Sequence, residues 1–359
     1  MNTNLLFVMA GGGTGGHIIP ALAVADELRR HGHESFFIGT QRGMESRLVP
    51  VAGFPIEWIE IGGLNRVSAA QRIRTLAQIP VSTVRVLQIF RNRKPKAVFS
   101  MGGYVAGPVM MAARLVGIPI VVMEPNAVPG FTNRRMARWI AKALVSFPEA
   151  LSYFPKGRAE LTGMPVREEF FKIQTRVEPR SPFTILITGG SRGSKTLNEA
   201  ARGSWNRFAQ RMRVRILHQC GTEMFSALDG EFRSTGVAGE VMPFINDMPN
   251  AFDSADLIIC RSGASTVSEV AAAGKPSILV PFPFAADDHQ LRNAEAMVHA
   301  GAARLVLDRE MNGQRLFDEV LALASAPQTL QAMSANARAM AKPGAANRAA
   351  RILEEMAVR

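Results

Sequence analysis

Short apolar runs alternate along this chain with segments of helical spacing. Leu5 to Ala10 reads as a buried strand, and glycines 11–13, 15 and 16 follow it. From His17 to Arg30 the spacing predicts a helix with Ile18, Leu22, Ala25 and Leu28 on one face. Pro20 is compatible with it, because first-turn amides lack intrahelical acceptors, and Gly32 suits its end. Ser35–Ile38, Ala97–Ser100 and Ile120–Met123 read as further strands. Phe183–Thr188 then opens a second series, with a glycine turn and a helix from about Lys195. Strands are expected at Arg215–Gln219, Leu257–Cys260, Ser277–Val280 and Ala303–Leu307, and helices at Ala264–Ala273 and Gln290–Ala300. Repeated strand–helix alternation predicts an α/β fold of parallel sheets with helices on both faces. The two restarts predict two Rossmann-like, doubly wound domains, joined near the proline-bearing stretch from Gly163 to Pro182.

Composition narrows the class. With 359 residues, 47% hydrophobic and 20% charged, the chain is globular and large enough for about two domains. Two cysteines, Cys220 and Cys260, fit a reducing compartment and make no disulfide scaffold. Leu5–Ala10 is short, follows no basic residue and runs into glycines, so it does not read as a secretion signal. Ala97–Met123 is interrupted by Arg114, Pro108, Pro119 and four glycines, so it does not read as a membrane span. The net charge of +12 is lopsided: residues 1–165 hold 19 Lys and Arg against nine Asp and Glu. Between Glu60 and Glu124 there are nine basic residues and no acidic one, which points to an anion near the first half.

The candidate chemistry lies in the glycine turns. Gly11-Gly12-Gly13-Thr14-Gly15-Gly16 matches G-x-G-x-x-G between a strand and a helix, where free amides and the helix dipole favour an anion. A dinucleotide site also needs an acidic residue closing the second strand. Here that end reads Gly39-Thr40-Gln41, and Glu34 lies at the other end, so a nicotinamide or flavin site is not expected. Gly189-Gly190-Ser191-Arg192-Gly193 lacks the G-K-[ST] ending of a P-loop. Ser191 and Arg192 suit a phosphate there, and Met101-Gly102-Gly103 forms a third turn at a strand end. Such turns place ligands at the carboxyl ends of strands, here in a cleft between the two domains. In Arg261-Ser262-Gly263-Ala264-Ser265-Thr266-Val267-Ser268-Glu269, small residues open a helix towards an anion or sugar, and Glu269 can accept from a ribose diol. The plainer account of that run is a helix cap with a favourable charge. Asp287-Asp288-His289-Gln290 has no accompanying ligand cluster, so no metal is expected.

Taken in order, these motifs resemble the MurG family of peptidoglycan glycosyltransferases over nearly the whole chain. The set runs Met9-Ala10 through Gly16-His17, Met101–Val105, Glu124-Pro125-Asn126, Gly189–Ser191, Cys260–Glu269, then Gln290 with Asn293-Ala294. The resemblance implies two Rossmann-like domains facing a central cleft, the GT-B arrangement. It implies an acceptor- and membrane-facing domain at 1–163 and a donor domain at 164–344, with a helix at about 345–359 packing back on the first. The implied reaction moves N-acetylglucosamine from UDP-N-acetylglucosamine to the 4-hydroxyl of the muramoyl sugar of lipid I, with inversion, giving lipid II for peptidoglycan synthesis. Carried over by position, Ile245 meets uracil through its backbone and Glu269 the ribose. Ser191 and Arg167 meet the diphosphate. Asn126, Gln290 and the Ala264, Ser265 and Thr266 turn meet the sugar. Thr14, Gly15 and Gly16, with Val267 and Ser268, complete the donor contacts. Met123, Pro125 and Met164 depart from the family pattern, so no role attached to those positions transfers.

Departure of UDP puts negative charge on a diphosphate, which helix amides and a basic residue can stabilise, so neither a metal nor another cofactor is expected. The acceptor hydroxyl needs a base. His17, whose side-chain type titrates near neutral pH, is the first candidate and Glu124 the second; the competing role for His17 is contact with acceptor diphosphate, or capping. Ile73, Leu76, Ile79 and Pro80 lie among Arg66, Arg72, Arg74 and Arg85, an apolar patch with a basic rim suited to an anionic leaflet. The expected location is peripheral, on the cytoplasmic face of the cell membrane; an ordinary solvated helix face is the alternative. The charge also suits nucleic acid, but no binding module or aromatic platform appears, so none is expected. The rival functions are another GT-B UDP-sugar transferase acting on a lipid acceptor, and a non-catalytic nucleotide-binding module. Oligomeric state is left open.

Overall fold

The computed structural model describes residues 4–12, 15–62, 68–175 and 178–358, without the side chains of 69–74 and 286. The chain divides into two compact units, Met1–Val166 with Gly344–Arg359, and Arg167–Pro343.

In the first unit the strands are β1 (Leu6–Ala10), β2 (Glu34–Gly39), β3 (Ile56–Trp58), β4 (Ala97–Ser100), β5 (Ile120–Glu124), β6 (Lys142–Val145) and β7 (Ala159–Leu161). They form one sheet in the order β3-β2-β1-β4-β5-β6-β7, and every pairing is parallel. β1, β4 and β5 are apolar on both faces because helices cover both sides of a crossover-built sheet. Ile18, Ala25 and Leu28 of helix Gly15–Arg30 are fully buried, while Leu22 is half-buried. The final helix, Ala345–Ala357, belongs to this unit: Glu354 accepts from His31 Nδ1 at 2.6 Å, and Arg348 grips Glu160 at 2.6 Å.

The second unit repeats the plan. Its strands are β8 (Phe183–Thr188), β9 (Val214–Gln219), β10 (Ala238–Met242), β11 (Leu257–Cys260), β12 (Ser277–Leu279) and β13 (Ala303–Leu305). Their order is β10-β9-β8-β11-β12-β13, again all parallel. Trp205 and Phe208 from helix Lys195–Arg211 pack with Phe232 and Phe317 in its core.

Both sheets therefore reverse their winding beside their first strand, between β1 and β4 and between β8 and β11. A crevice opens outside the carboxyl ends of the strands at such a switch point. The expected glycine turns lie there: Gly11 and Gly12 follow β1, Gly102-Gly103 follows β4, Gly189-Gly190 follows β8 and Gly263 follows β11. No helix among the described residues is long and apolar enough to cross a membrane.

Candidate active site

In the first unit, sequence-predicted residues gather at the ends of β1, β4 and β5. Gly15 and Gly16 start the helix, and Thr14 lies outside the described residues. His17 is half-buried in the first helical turn, with Nδ1 3.3 Å from the Gly12 carbonyl. In the tautomer that donates from Nδ1, Nε2 is the basic nitrogen. The β4 turn closes beside the ring: a Cβ on Gly103 would sit 3.6 Å from His17 Nδ1. Gly102 and Gly103 have φ of 77° and 81°, which glycine adopts without steric cost.

Glu124 ends β5, almost fully buried. Oε1 accepts from the amide of Asn126 at 3.0 Å and from its side chain at 3.1 Å. Oε2 accepts from the amide of Gly130 at 3.0 Å and from Asn133 Nδ2 at 2.9 Å. Burial pushes its carboxyl above the usual range, and the four donors pull the other way. With both oxygens engaged, Glu124 is built to hold Asn126 and the start of helix Phe131–Met136. That geometry does not suit the role of second candidate base, which requires an oxygen turned to a substrate proton.

A further carboxylate escaped the sequence reading. Glu45 is fully buried, and its Oε1 accepts from the amide and the hydroxyl of Thr40, both at 2.9 Å. Three glycines make room for it: added Cβ atoms on Gly12, Gly39 and Gly43 would lie 2.7, 2.6 and 2.0 Å from its side chain. Gly12 is thus packed on Glu45, and the available signal is an acid two residues beyond Gly43 in the loop that follows β2.

In the second unit, Gly263 precedes helix Ala264–Ala273, whose first turn has no side-chain cap. Ala264, Ser265, Thr266 and Ser268 are half-buried around this end, and Val267 is buried beneath it. Unfilled amides there carry the positive end of the helix dipole. Gln290 lies alongside, with Nε2 4.0 Å from where a Gly263 Cβ would stand. Its Oε1 accepts from the amide of Phe282 at 3.0 Å, and its carbonyl takes the Ser262 hydroxyl at 2.7 Å. Glu269, one turn further on, faces Arg167 at 3.9 Å. Desolvation pushes its carboxyl up to about 7, with Arg167 opposing. The Arg167 guanidinium also stacks 5.0 Å from the Phe170 ring, which fixes its direction.

Ser191 and Arg192 are exposed at the tip of the β8 turn. The turn is closely packed at Gly193. Gly193, at φ 75°, approaches the neighbouring strand end so closely that a Cβ would fall 1.9 Å from the Cys220 carbonyl. Arg261 Nη2 donates to Ser194 Oγ at 2.6 Å, tying the turn to the end of β11. Ile245 is buried, and its amide donates to Gln219 Oε1 at 2.8 Å; Phe244, beside it, is half exposed. Phe244, Gln219 and Arg261 were given no role from sequence. An exposed aromatic next to a predicted base-binding residue was the readable signal for Phe244. Among the described residues, no group of three or more His, Cys, Asp or Glu is arranged to hold a metal ion.

Known proteins share this fold. Residues 7–145 match the glycosyltransferase family 28 N-terminal domain, and residues 184–352 match the family 28 C-terminal domain. A Solibacter usitatus protein is 60% identical over 98% of this chain and 96% of its own length. A Methylococcus capsulatus protein is 42% identical over 97% and 98%. Both are named UDP-N-acetylglucosamine–N-acetylmuramyl-(pentapeptide) pyrophosphoryl-undecaprenol N-acetylglucosamine transferase. The crystal structure of Acinetobacter baumannii MurG superposes with a TM-score of 0.84 at 35% identity, covering 98% of this chain and all of that one. The chain belongs to the MurG branch of glycosyltransferase family 28.

Proposed function

We infer that the protein transfers N-acetylglucosamine from UDP-N-acetylglucosamine to the muramoyl 4-hydroxyl of lipid I, forming lipid II. The observation that carries this reading is the uncapped start of helix Ala264–Ala273, with Glu269, Arg167 and Gln290 around it at a sheet switch point. In this reading the second unit holds the donor. Phe244 and Ile245 take the uracil, Glu269 the ribose diol, and the Gly189–Ser191 turn with Arg167 the diphosphate. Ala264, Ser265 and Thr266 offer amides to the sugar-phosphate end, with Val267 and Ser268 shaping that turn, and Gln290 meets the sugar.

The chemistry follows from where charge develops. As the anomeric carbon–oxygen bond breaks, negative charge grows on the departing UDP. Fixed amides and a guanidinium stabilise it without reorganising at the moment of reaction. His17 removes the proton of the attacking hydroxyl, its tautomer set by the Gly12 carbonyl. Asn126, held by Glu124, contacts the transferred sugar. Attack from the face opposite the leaving group inverts the anomeric centre.

The acceptor carries a polyprenyl chain, so the enzyme works at a membrane. In helix Ala69–Arg93, Leu76, Pro80, Val81 and Val84 are exposed, with exposed Arg85 beside them. This face rests on the anionic cytoplasmic leaflet. Ile79 of the expected patch is half-buried; Arg66 and the side chains of Arg72, Ile73 and Arg74 lie outside the described residues. The deciding assay supplies labelled UDP-N-acetylglucosamine with lipid I and, separately, with other polyprenyl-linked sugars. UDP release and lipid II formation specific to lipid I support the reading. Transfer to a different acceptor would replace it with another lipid-directed transferase, and UDP binding without transfer would leave a nucleotide-binding module.

A further inference from the structure

Gln219 is the last residue of β9 and only 1% exposed. Its side-chain amide meets three residues on two segments. Nε2 donates to the Gly190 carbonyl at 2.8 Å and to Thr188 Oγ1 at 3.2 Å. Thr188 Oγ1 in turn accepts from the Gly190 amide at 3.2 Å. Oε1 accepts from the Ile245 amide at 2.8 Å. One planar group therefore joins the glycine turn that follows β8 to the segment that follows β10.

The backbone around this amide has little freedom. The Cys220 carbonyl next to Gln219 lies 1.9 Å from where a Gly193 Cβ would be, and the Arg192 carbonyl lies 2.1 Å from where a Gly221 Cβ would be. Asn198 Nδ2 donates to the same Cys220 carbonyl at 2.8 Å. The diphosphate turn and the end of β9 are interlocked, so a shift of one moves the other. Because the amide is buried, each of its hydrogen bonds is costly to leave unmade.

We propose that Gln219 is a positioning residue that sets the uracil-binding segment at Ile245 in fixed register with the diphosphate turn at Gly190-Ser191. The inference rests on the donor reading given above. Gln219 itself need not touch the nucleotide. Its amide has a donor for the turn and an acceptor for the base segment, and substitutions can remove these separately.

The test uses the full-length protein and the inhibition constants of uridine and UDP, with kcat and KM for UDP-N-acetylglucosamine. Gln219→Glu keeps an acceptor for the Ile245 amide and loses the donor to Gly190. It is expected to weaken UDP about tenfold and leave uridine unchanged, since one lost bond to a buried group is worth about that factor. Gln219→Ala removes both links and is expected to weaken uridine and UDP alike. In both, KM rises while kcat at saturating donor stays within about twofold. Circular dichroism and Tm identify any variant that fails to fold, and Gln219→Asn, with the same groups on a shorter arm, then serves in its place and is expected to weaken UDP. Wild-type inhibition constants in the folded variants would overturn the proposal, as would a fall in kcat with KM unchanged. If the wild-type protein itself does not bind UDP, the donor reading fails instead.

Discussion

Glu124 Oε1 accepts both the main-chain amide and the side-chain amide of Asn126, at 3.0 and 3.1 Å, so one carboxylate oxygen fixes both ends of that residue. With Gly130 and Asn133 on the other oxygen, four N–H groups converge on a buried acceptor. Glu124→Gln keeps the shape but turns an amide N–H towards one of those donors. A loss of about 1–3 kcal/mol of stability is expected, and turnover should fall with it as Asn126 loses its anchor. The pH–rate profile of the residual activity should keep its wild-type shape. A profile that loses its acidic limb would restore Glu124 as a base.

His17→Ala should lower kcat by about a hundredfold or more, the usual weight of a general base. The donor KM should change little, because the donor contacts proposed on the second unit remain. The measurement is a steady-state titration of UDP-N-acetylglucosamine at saturating lipid I. Unaltered turnover would remove His17 from the mechanism, and a selective rise in the lipid I KM would assign it to the acceptor diphosphate.

In the proposed donor site, Glu269 is expected to make donor binding depend on pH. Its carboxyl, pushed up to about 7, is ionised above that pH and protonated below it. Only the ionised form offers both oxygens as acceptors to a diol. UDP affinity should therefore fall as pH is lowered through 7 and level off above about 8. The effect on folding has the opposite sign. The folded value lies above the reference 4.5, so this group's contribution to stability is fully present below 4.5 and lost as pH rises through about 7. Glu269→Gln should bind UDP more weakly at high pH and show a flat pH dependence. Calorimetric titrations from pH 6 to 9 check both points, and a wild-type pH dependence in the variant would contradict the assignment.

The strand-then-glycine units are legible because β1, β4, β8 and β11 are mostly apolar runs with a glycine within three residues of their ends. That pattern marks β1, β4, β8 and β11 and the helix start at Ala264; that these strands border the two switch points shows only in the strand order. The sheet edges carry no such signal. β3 and β7 are three residues long and half-buried, and β10 is mostly exposed, so none has an apolar run to read. β6 is buried beyond Lys142, but Ser146-Phe147-Pro148 follow it and no glycine turn marks its end. Gln219 and Glu45 were silent for a different reason. The chain separation between Gln219 and Ile245 is 26 residues, and only the parallel sheet brings them together. Glu45 shows its packing only once Gly12, at the end of another strand, comes against it.

Gly193→Ala tests how tightly the turn after β8, the proposed diphosphate site, is held. The residue holds φ at 75°, and a methyl group would overlap the Cys220 carbonyl at 1.9 Å, so backbone must move. Strain of this kind costs about 1–3 kcal/mol, and displacement of the turn adds to it. A lower Tm together with a raised donor KM is expected. Gly190, at φ 87°, meets nothing within 4 Å, so Gly190→Ala should show the cost of the left-handed backbone alone. Equal effects from both variants would mean that the contact with Cys220 contributes nothing.

Leu76, Ala77, Pro80, Val81 and Val84 are exposed at spacings of one, four, five and eight residues, so they form one stripe on helix Ala69–Arg93. Val81 is 71% exposed and Val84 55%. An apolar stripe beside a basic residue binds an anionic leaflet through both burial and charge. Arg85→Ala should weaken binding to phosphatidylglycerol vesicles by about fivefold at low salt, the equivalent of about 1 kcal/mol per charge. Val81→Asp should weaken it further and persist at high salt, because it removes apolar burial as well as adding repulsion. Co-sedimentation at two ionic strengths separates the terms. Turnover on a short-chain, water-soluble lipid I analogue should stay near wild type in both variants. Vesicle binding that ignores both substitutions would leave this face an ordinary solvated helix surface.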